Sequence, residues 1–127
     1  IVSGQCGTSH GQSFVSQQKV AAYTTAKSAI LGLTRSIAVD YAPHVRCVAV
    51  CPGTIDTPML RDAIALLPDP DAVMLECIDM HLTKRIGTAE EVAELVMFLC
   101  DDKASFITGQ AIRIDGGLGI TIQGSKK

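Results

Sequence analysis

Between two helix-patterned stretches the chain runs through Val45–Cys51, VRCVAVC, closed by Pro52–Gly53. A nearly continuous run of β-branched and small apolar residues, with no alternation, marks a strand buried on both faces, and such strands belong to parallel sheets covered by helices. The flanks agree. From about Val20 onward, apolar or small residues recur at Ala22, Ala26, Ile30, Leu33 and Ile37, the spacing of one helix face, and Pro43 stops that helix just past Tyr41. Helix, strand and glycine-containing loop in succession is the α/β rhythm.

Downstream, Pro58 opens a mixed region broken by Pro68 and Pro70, with one short helical piece before the break and another, Ala72–His81, after it. Residues 58–82 read as an insert that covers a substrate. Thr88 with Glu91 forms a capping box, and Val92, Leu95, Val96 and Leu99 form the apolar face of a helix ending near Cys100. Ala111–Ile114 is a short strand closed by Asp115-Gly116-Gly117. At the other end, residues 1–18 read as the end of a strand running into a long polar loop, and Gln123–Lys127 as a frayed tail.

With 127 residues, 47% of them hydrophobic and 19% charged, the expectation is one globular domain. Eleven basic against thirteen acidic residues, net −2, lack the footprint of a nucleic-acid or anionic-lipid binder, so neither is an expected partner. The longest apolar runs, Cys47–Cys51 and Leu95–Cys100, fall far short of the roughly 20 residues a membrane helix needs. The chain opens at Ile1 in a strand-like stretch with no basic leader, which reads as the interior of a longer protein. Five cysteines without a Cys-x-x-Cys pair suit a reducing, cytoplasmic compartment. His10, His44 and His81 are scattered, so no metal site is expected.

Tyr23 and Lys27 stand one helical turn apart and share a face. A tyrosine is a poor acid or base at neutral pH, and an ammonium beside it favours the phenolate, so such a pair can pass a proton to or from an alcohol. The same spacing also describes an ordinary amphipathic-helix pair.

The stretch AAYTTAKSAILGLTRSIAVDYAPHVRCVAVCPGTIDTPM followed by RIGTAEEVAELVMFLCDDKASFITGQAIRIDGG resembles the C-terminal half of a short-chain dehydrogenase/reductase. The resemblance covers roughly residues 14–120 and rests on Tyr-x-x-x-Lys, the Pro-Gly loop and the Ser-x-Ile-Thr-Gly-Gln strand entry, in the family's order. It implies the C-terminal part of a Rossmann-like, doubly wound parallel sheet in three α/β/α layers, with the N-terminal nucleotide-binding half missing. It further implies NAD or NADP as cofactor and hydride transfer to or from a carbonyl/alcohol substrate. Tyr23 would be the acid/base, and Lys27 would hold the nicotinamide ribose and lower the tyrosine pKa. Pro52 and Gly53 would shape the cofactor turn, Ile55 would offer backbone atoms to the carboxamide, and Thr57 would bond nearby. Relatives are commonly dimers or tetramers, so the two long helices are expected at homo-oligomer interfaces.

Four departures stand out. Counting back from Tyr23 to the family's serine position lands on His10, leaving Ser9 just before it, Ser13 after it, or no serine, with Ser9 favoured. SGQCGTSHGQ lacks the apolar strand followed by small residues expected there, and Val48 stands where relatives usually carry asparagine. The Gly-rich phosphate turn is absent, since Gly116, Gly117 and Gly119 follow a strand but precede no helix. A sheet cut at that point is expected to aggregate or stay molten. A catalytically inactive fragment, docking at most through its interface helices, is therefore the alternative, and a small α/β domain unrelated to the family is a third reading.

Overall fold

The computed structural model describes residues 2–3 and 21–120. Its framework is a three-stranded parallel sheet in the order β1 (Val2–Ser3), β2 (Ala49–Pro52), β5 (Ala111–Ile114), with Val2 opposite Ala49 and the pairing of β2 with β5 running from Ala49–Ala111 to Pro52–Ile114. Central β2 is sealed on both sides, as its unbroken apolar run requires, and every residue from Cys47 to Cys51 is at most 3% exposed.

Alternation along the strand assigns the two layers, because successive side chains point to opposite faces. Ala49 and Cys51 meet Leu31 of α1 (Ala21–Asp40) on one face. Val48 and Val50 pack with Leu99 of α4 (Ala89–Cys100) and with Ala104 on the other, and Val92, Leu95 and Val96 lie against that cluster. The layering is thus helix, sheet, helix. Val48 is an apolar core residue at 1% exposure.

The buried stripe of α1 differs from the one its periodicity suggests. Leu31, Thr34 and Ala38 are buried, whereas Leu33 is 53% exposed. The helix carries two apolar stripes, and the one with smaller side chains lets it approach the sheet. Ala38 comes within contact distance of Gly109, and Thr34 satisfies its own hydroxyl by donating to the Ile30 carbonyl at 2.8 Å.

The regular strand also starts later than Val45. Before Ala49 the chain is tied by a side chain, with Cys47 N–H donating to Thr108 Oγ1 at 3.1 Å and Gly109 N–H donating to the Cys47 carbonyl at 2.7 Å.

The insert folds as α2 (Pro58–Ala65) and α3 (Pro70–Met80). Pro58 and Pro70 both open helices, and Pro70 does so rather than break one, because proline lacks only an amide that the first turn leaves unpaired anyway. Thr57 caps α2 by accepting from Leu60 N–H, and Asp69 caps α3 by accepting from Ala72 N–H, which moves the start of α3 ahead of Ala72. The two ends of the insert are drawn together by β3 (Ile55–Asp56) and β4 (Gly87–Thr88), a parallel two-stranded sheet. The capping box forms as expected, with Thr88 Oγ1 accepting from Glu91 N–H and the Glu91 carboxylate accepting from Thr88 N–H.

Candidate active site

Ligands of open parallel sheets bind beyond the carboxyl ends of the strands. Here those ends are Pro52–Gly53 and Ile114–Asp115. Gly53 N–H donates to the Ile114 carbonyl at 3.0 Å, which carries the pairing one residue past the ladder. The approach is close enough to demand glycine, since a Cβ at Gly53 would lie 2.8 Å from Asp115 Cα and 2.9 Å from His81 Nε2. Asp115 then folds the chain over the strand ends, its carboxylate accepting from Gly117 N–H and Gly119 N–H, both at 3.0 Å.

His81, at the C-cap of α3, is 2% exposed. Its Nδ1 lies 2.6 Å from the Cys77 carbonyl and its Nε2 accepts from Thr54 N–H at 3.2 Å. The carbonyl can only accept, so these partners assign the proton to Nδ1 and the lone pair to Nε2. Thr54, His81, Thr83, Arg85, Glu91 and Asp115 help to line a cavity of about 140 Å³. Thr54 Oγ1 is buried with no hydrogen-bond partner among the described residues. At the rim, Arg85 holds Glu91 at 2.5 and 2.8 Å, and that contact, reinforced by Thr88 N–H, pulls the Glu91 carboxyl down to about 2.

Tyr23 and Lys27 are both half-buried on α1, with the Lys27 ammonium 5.4 Å from the centroid of the Tyr23 ring. Their level in the fold follows from how α1 crosses β2. Ala38 lies by Gly109, which is bonded to Cys47, whereas Leu31 lies by Ala49 and Cys51, so α1 runs antiparallel to the strand. Tyr23 is roughly 12 Å further up the helix from Leu31, and Gly53 about 7 Å beyond Cys51. The pair and the Pro-Gly loop therefore share one end of the sheet.

The remaining candidates carry structural duties as well. Pro52 is buried at the last rung of β2. Ile55 pairs with Gly87, where a Cβ would meet its Cδ1 at 2.7 Å. Thr57 Oγ1 accepts from Leu60 N–H at 3.3 Å, which leaves the hydroxyl proton to be donated elsewhere. Ser9, with His10 and Ser13, lies outside the described residues. His81 and Thr54 are the residues the sequence reading missed. The only signal in the sequence was a lone imidazole closing a helix of mostly apolar residues. Among the described residues no group of three His, Cys, Asp or Glu side chains could hold a metal.

A family model described as enoyl-(acyl carrier protein) reductase matches residues 6–119. The protein called dehydrogenase/reductase SDR family member 6 from Aquarana catesbeiana is 46% identical over 96 residues, which make up 75% of this chain and 39% of that protein. The chain belongs to the short-chain dehydrogenase/reductase family. The 2-keto-3-deoxy-L-fuconate dehydrogenase of Xanthomonas campestris is 46% identical over 97 residues, 75% of this chain and 32% of that enzyme. Among solved structures, the ligand-free aldohexose dehydrogenase of Thermoplasma acidophilum superposes with a TM-score of 0.85 at 44% identity, covering 94% of this chain and 49% of that one. This short-chain dehydrogenase/reductase chain thus spans between about a third and a half of the length of these relatives, and its parallel sheet is part of their Rossmann-like fold. Membership supports oxidoreductase chemistry in general. No helix among the described residues is long and apolar enough to cross a membrane.

Proposed function

We propose that this chain carries the proton-handling part of an NAD- or NADP-dependent oxidoreductase acting on a carbonyl/alcohol pair. The observation that carries the reading is the Tyr23–Lys27 pair at the end of the sheet where Pro52–Gly53 and Asp115 converge. When bound, the nicotinamide supplies or accepts the hydride.

The chain's own residues handle the proton. The Tyr23 phenol donates to the carbonyl oxygen in reduction and takes the proton back from the alcohol in oxidation. Lys27 places a positive charge beside the phenolic ring, which stabilises the phenolate, and it holds the ribose hydroxyls. Ser9 would hydrogen-bond the substrate oxygen.

The residues at the strand ends fit a flat carboxamide-bearing ring. Thr57 keeps a hydroxyl proton to donate, and Ile55 brings backbone polar groups to the same loop. The insert of α2 and α3 would cover the substrate. Exposed Leu33 and Val39 on α1 and Met97 and Phe98 on α4 favour a homodimer or homotetramer built on these helices.

The test is titration of the full-length gene product with NADH and NADPH, followed by cofactor fluorescence, beside a circular dichroism melt. Saturable binding by a cooperatively melting protein supports the reading. A cooperative melt without binding refutes it and favours an inactive family member that acts through its helices.

A further inference from the structure

The His81 imidazole bonds both the insert and the cofactor loop at the same time. It receives at Nε2 the Thr54 amide, the first after Pro52–Gly53, and gives Nδ1–H to the Cys77 carbonyl in the last turn of α3. Its freedom is closed off from both strand ends. On the β2 side a Cβ at Gly53 would reach Nε2 at 2.9 Å, and on the β5 side a Cβ at Gly116, whose φ is +55°, would reach Cδ2 at 3.2 Å. The approach of the ring requires glycine at 53, and the positive φ at 116 favours it there. Around it, Thr83 N–H donates to the Gly116 carbonyl and Lys84 N–H to the His81 carbonyl, so the backbone that carries the ring is itself anchored. A buried imidazole with both nitrogens engaged has one tautomer and one orientation, and can transmit position from one partner to the other.

We infer that His81 is a positioning residue that ties the end of α3 to the Thr54 amide and so sets where the Pro52–Thr54 loop lies against the nicotinamide. This rests on the cofactor reading above and deepens it, since it couples the substrate-covering insert to the nicotinamide end of the site. His81 acts on the loop through its bond to the Thr54 amide.

Two substitutions separate the bonds. In His81→Gln the amide oxygen takes the place of Nε2 and still accepts from Thr54 N–H. In His81→Asn the shorter amide reaches only the Cys77 carbonyl. Each is compared with wild type in the full-length gene product by three readouts: Kd for NADH, Kd for ADP-ribose, which lacks the nicotinamide, and hydrogen exchange at the Thr54 amide without nucleotide.

The expected result is that His81→Asn weakens NADH about fivefold or more, the scale of one hydrogen bond, while ADP-ribose stays within about twofold. Exchange at Thr54 quickens in the same variant. His81→Gln holds both affinities within about twofold of wild type and keeps Thr54 protected. An unchanged NADH-to-ADP-ribose ratio in His81→Asn overturns the inference, and so does equal weakening of both ligands, which marks a general loss of fold. If His81→Asn does not fold, His81→Gln decides alone, and a nicotinamide-specific loss there overturns it too. Wild type that binds NADH no better than ADP-ribose overturns the cofactor-loop reading itself, a failure distinguishable from the others because it appears before any substitution.

Discussion

Gly53→Ala adds one methyl group where the structure has no room for it. The new Cβ would stand 2.8 Å from Asp115 Cα, 2.9 Å from His81 Nε2 and 3.1 Å from Asp115 Cβ. Ordinary carbon contacts lie at about 3.5–4.0 Å, so something has to move. Asp115 is held by the Gly53 N–H bond to the adjoining Ile114 carbonyl and by two amides accepted at its own carboxylate. The imidazole can give way only by stretching its 3.2 Å bond to Thr54 N–H, which leaves a buried amide unpaired.

Overpacking of this kind costs about 1–3 kcal/mol, and a buried unpaired donor costs about as much again, so the expected loss is about 2–6 kcal/mol. Gly32→Ala is the matched control. Gly32 lies inside α1 with nothing within 4 Å of a Cβ there, so alanine should stabilise by about 0.5–1 kcal/mol through helix propensity. Thermal melts of both variants in the full-length gene product check this, at a few degrees per kcal/mol. A Gly53→Ala midpoint within about 1 °C of wild type, or both variants shifting alike, would refute the close approach.

Leu99→Ala should cost about 2–5 kcal/mol in denaturant unfolding, because Leu99 is 1% exposed and joins α4 to Val48 and Val50, leaving a cavity on truncation. Glu91 has a folded-state carboxyl depressed from 4.5 to about 2 by Arg85 and the Thr88 amide, so its contribution is full at neutral pH and lost as pH falls from about 4.5 toward 2. Glu91→Gln should therefore lower stability at pH 7 and flatten the acid limb of a pH series of melts. Tyr23→Phe should abolish turnover with cofactor affinity largely intact, and Lys27→Ala should weaken both. Turnover by the first variant, or unchanged cofactor affinity in the second, would contradict the assigned roles.

Local patterns decided a large part of this protein before any tertiary contact was known. The apolar end of VRCVAVC pointed to a central parallel strand, because a strand covered on both faces hides apolar side chains at successive positions, and Cys47–Cys51 are hidden in that way although the regular strand is Ala49–Pro52. Thr88 with Glu91 had to start a helix, because that pair satisfies two amides the first turn leaves open. Tyr23 and Lys27 had to be neighbours, because one helical turn brings them together wherever the helix packs.

What the sequence left undetermined was set by meetings between distant segments. The face of α1 turned to the sheet depended on which of two apolar stripes could approach β2 closely, and that is a property of the pair, not of the helix. Pro70 reads in the sequence as a breaker, and only the Asp69 cap shows it to be the first residue of α3. β3 and β4, two residues each, have no pattern long enough to announce a strand and exist only because Thr54–Asp56 and Gly87–Thr88 are brought side by side. His81 looked like one of three scattered histidines. Its burial and both of its bonds come from Cys77, Thr54, Gly53 and Gly116 converging from three separate stretches of chain, and no spacing along the sequence encodes that convergence.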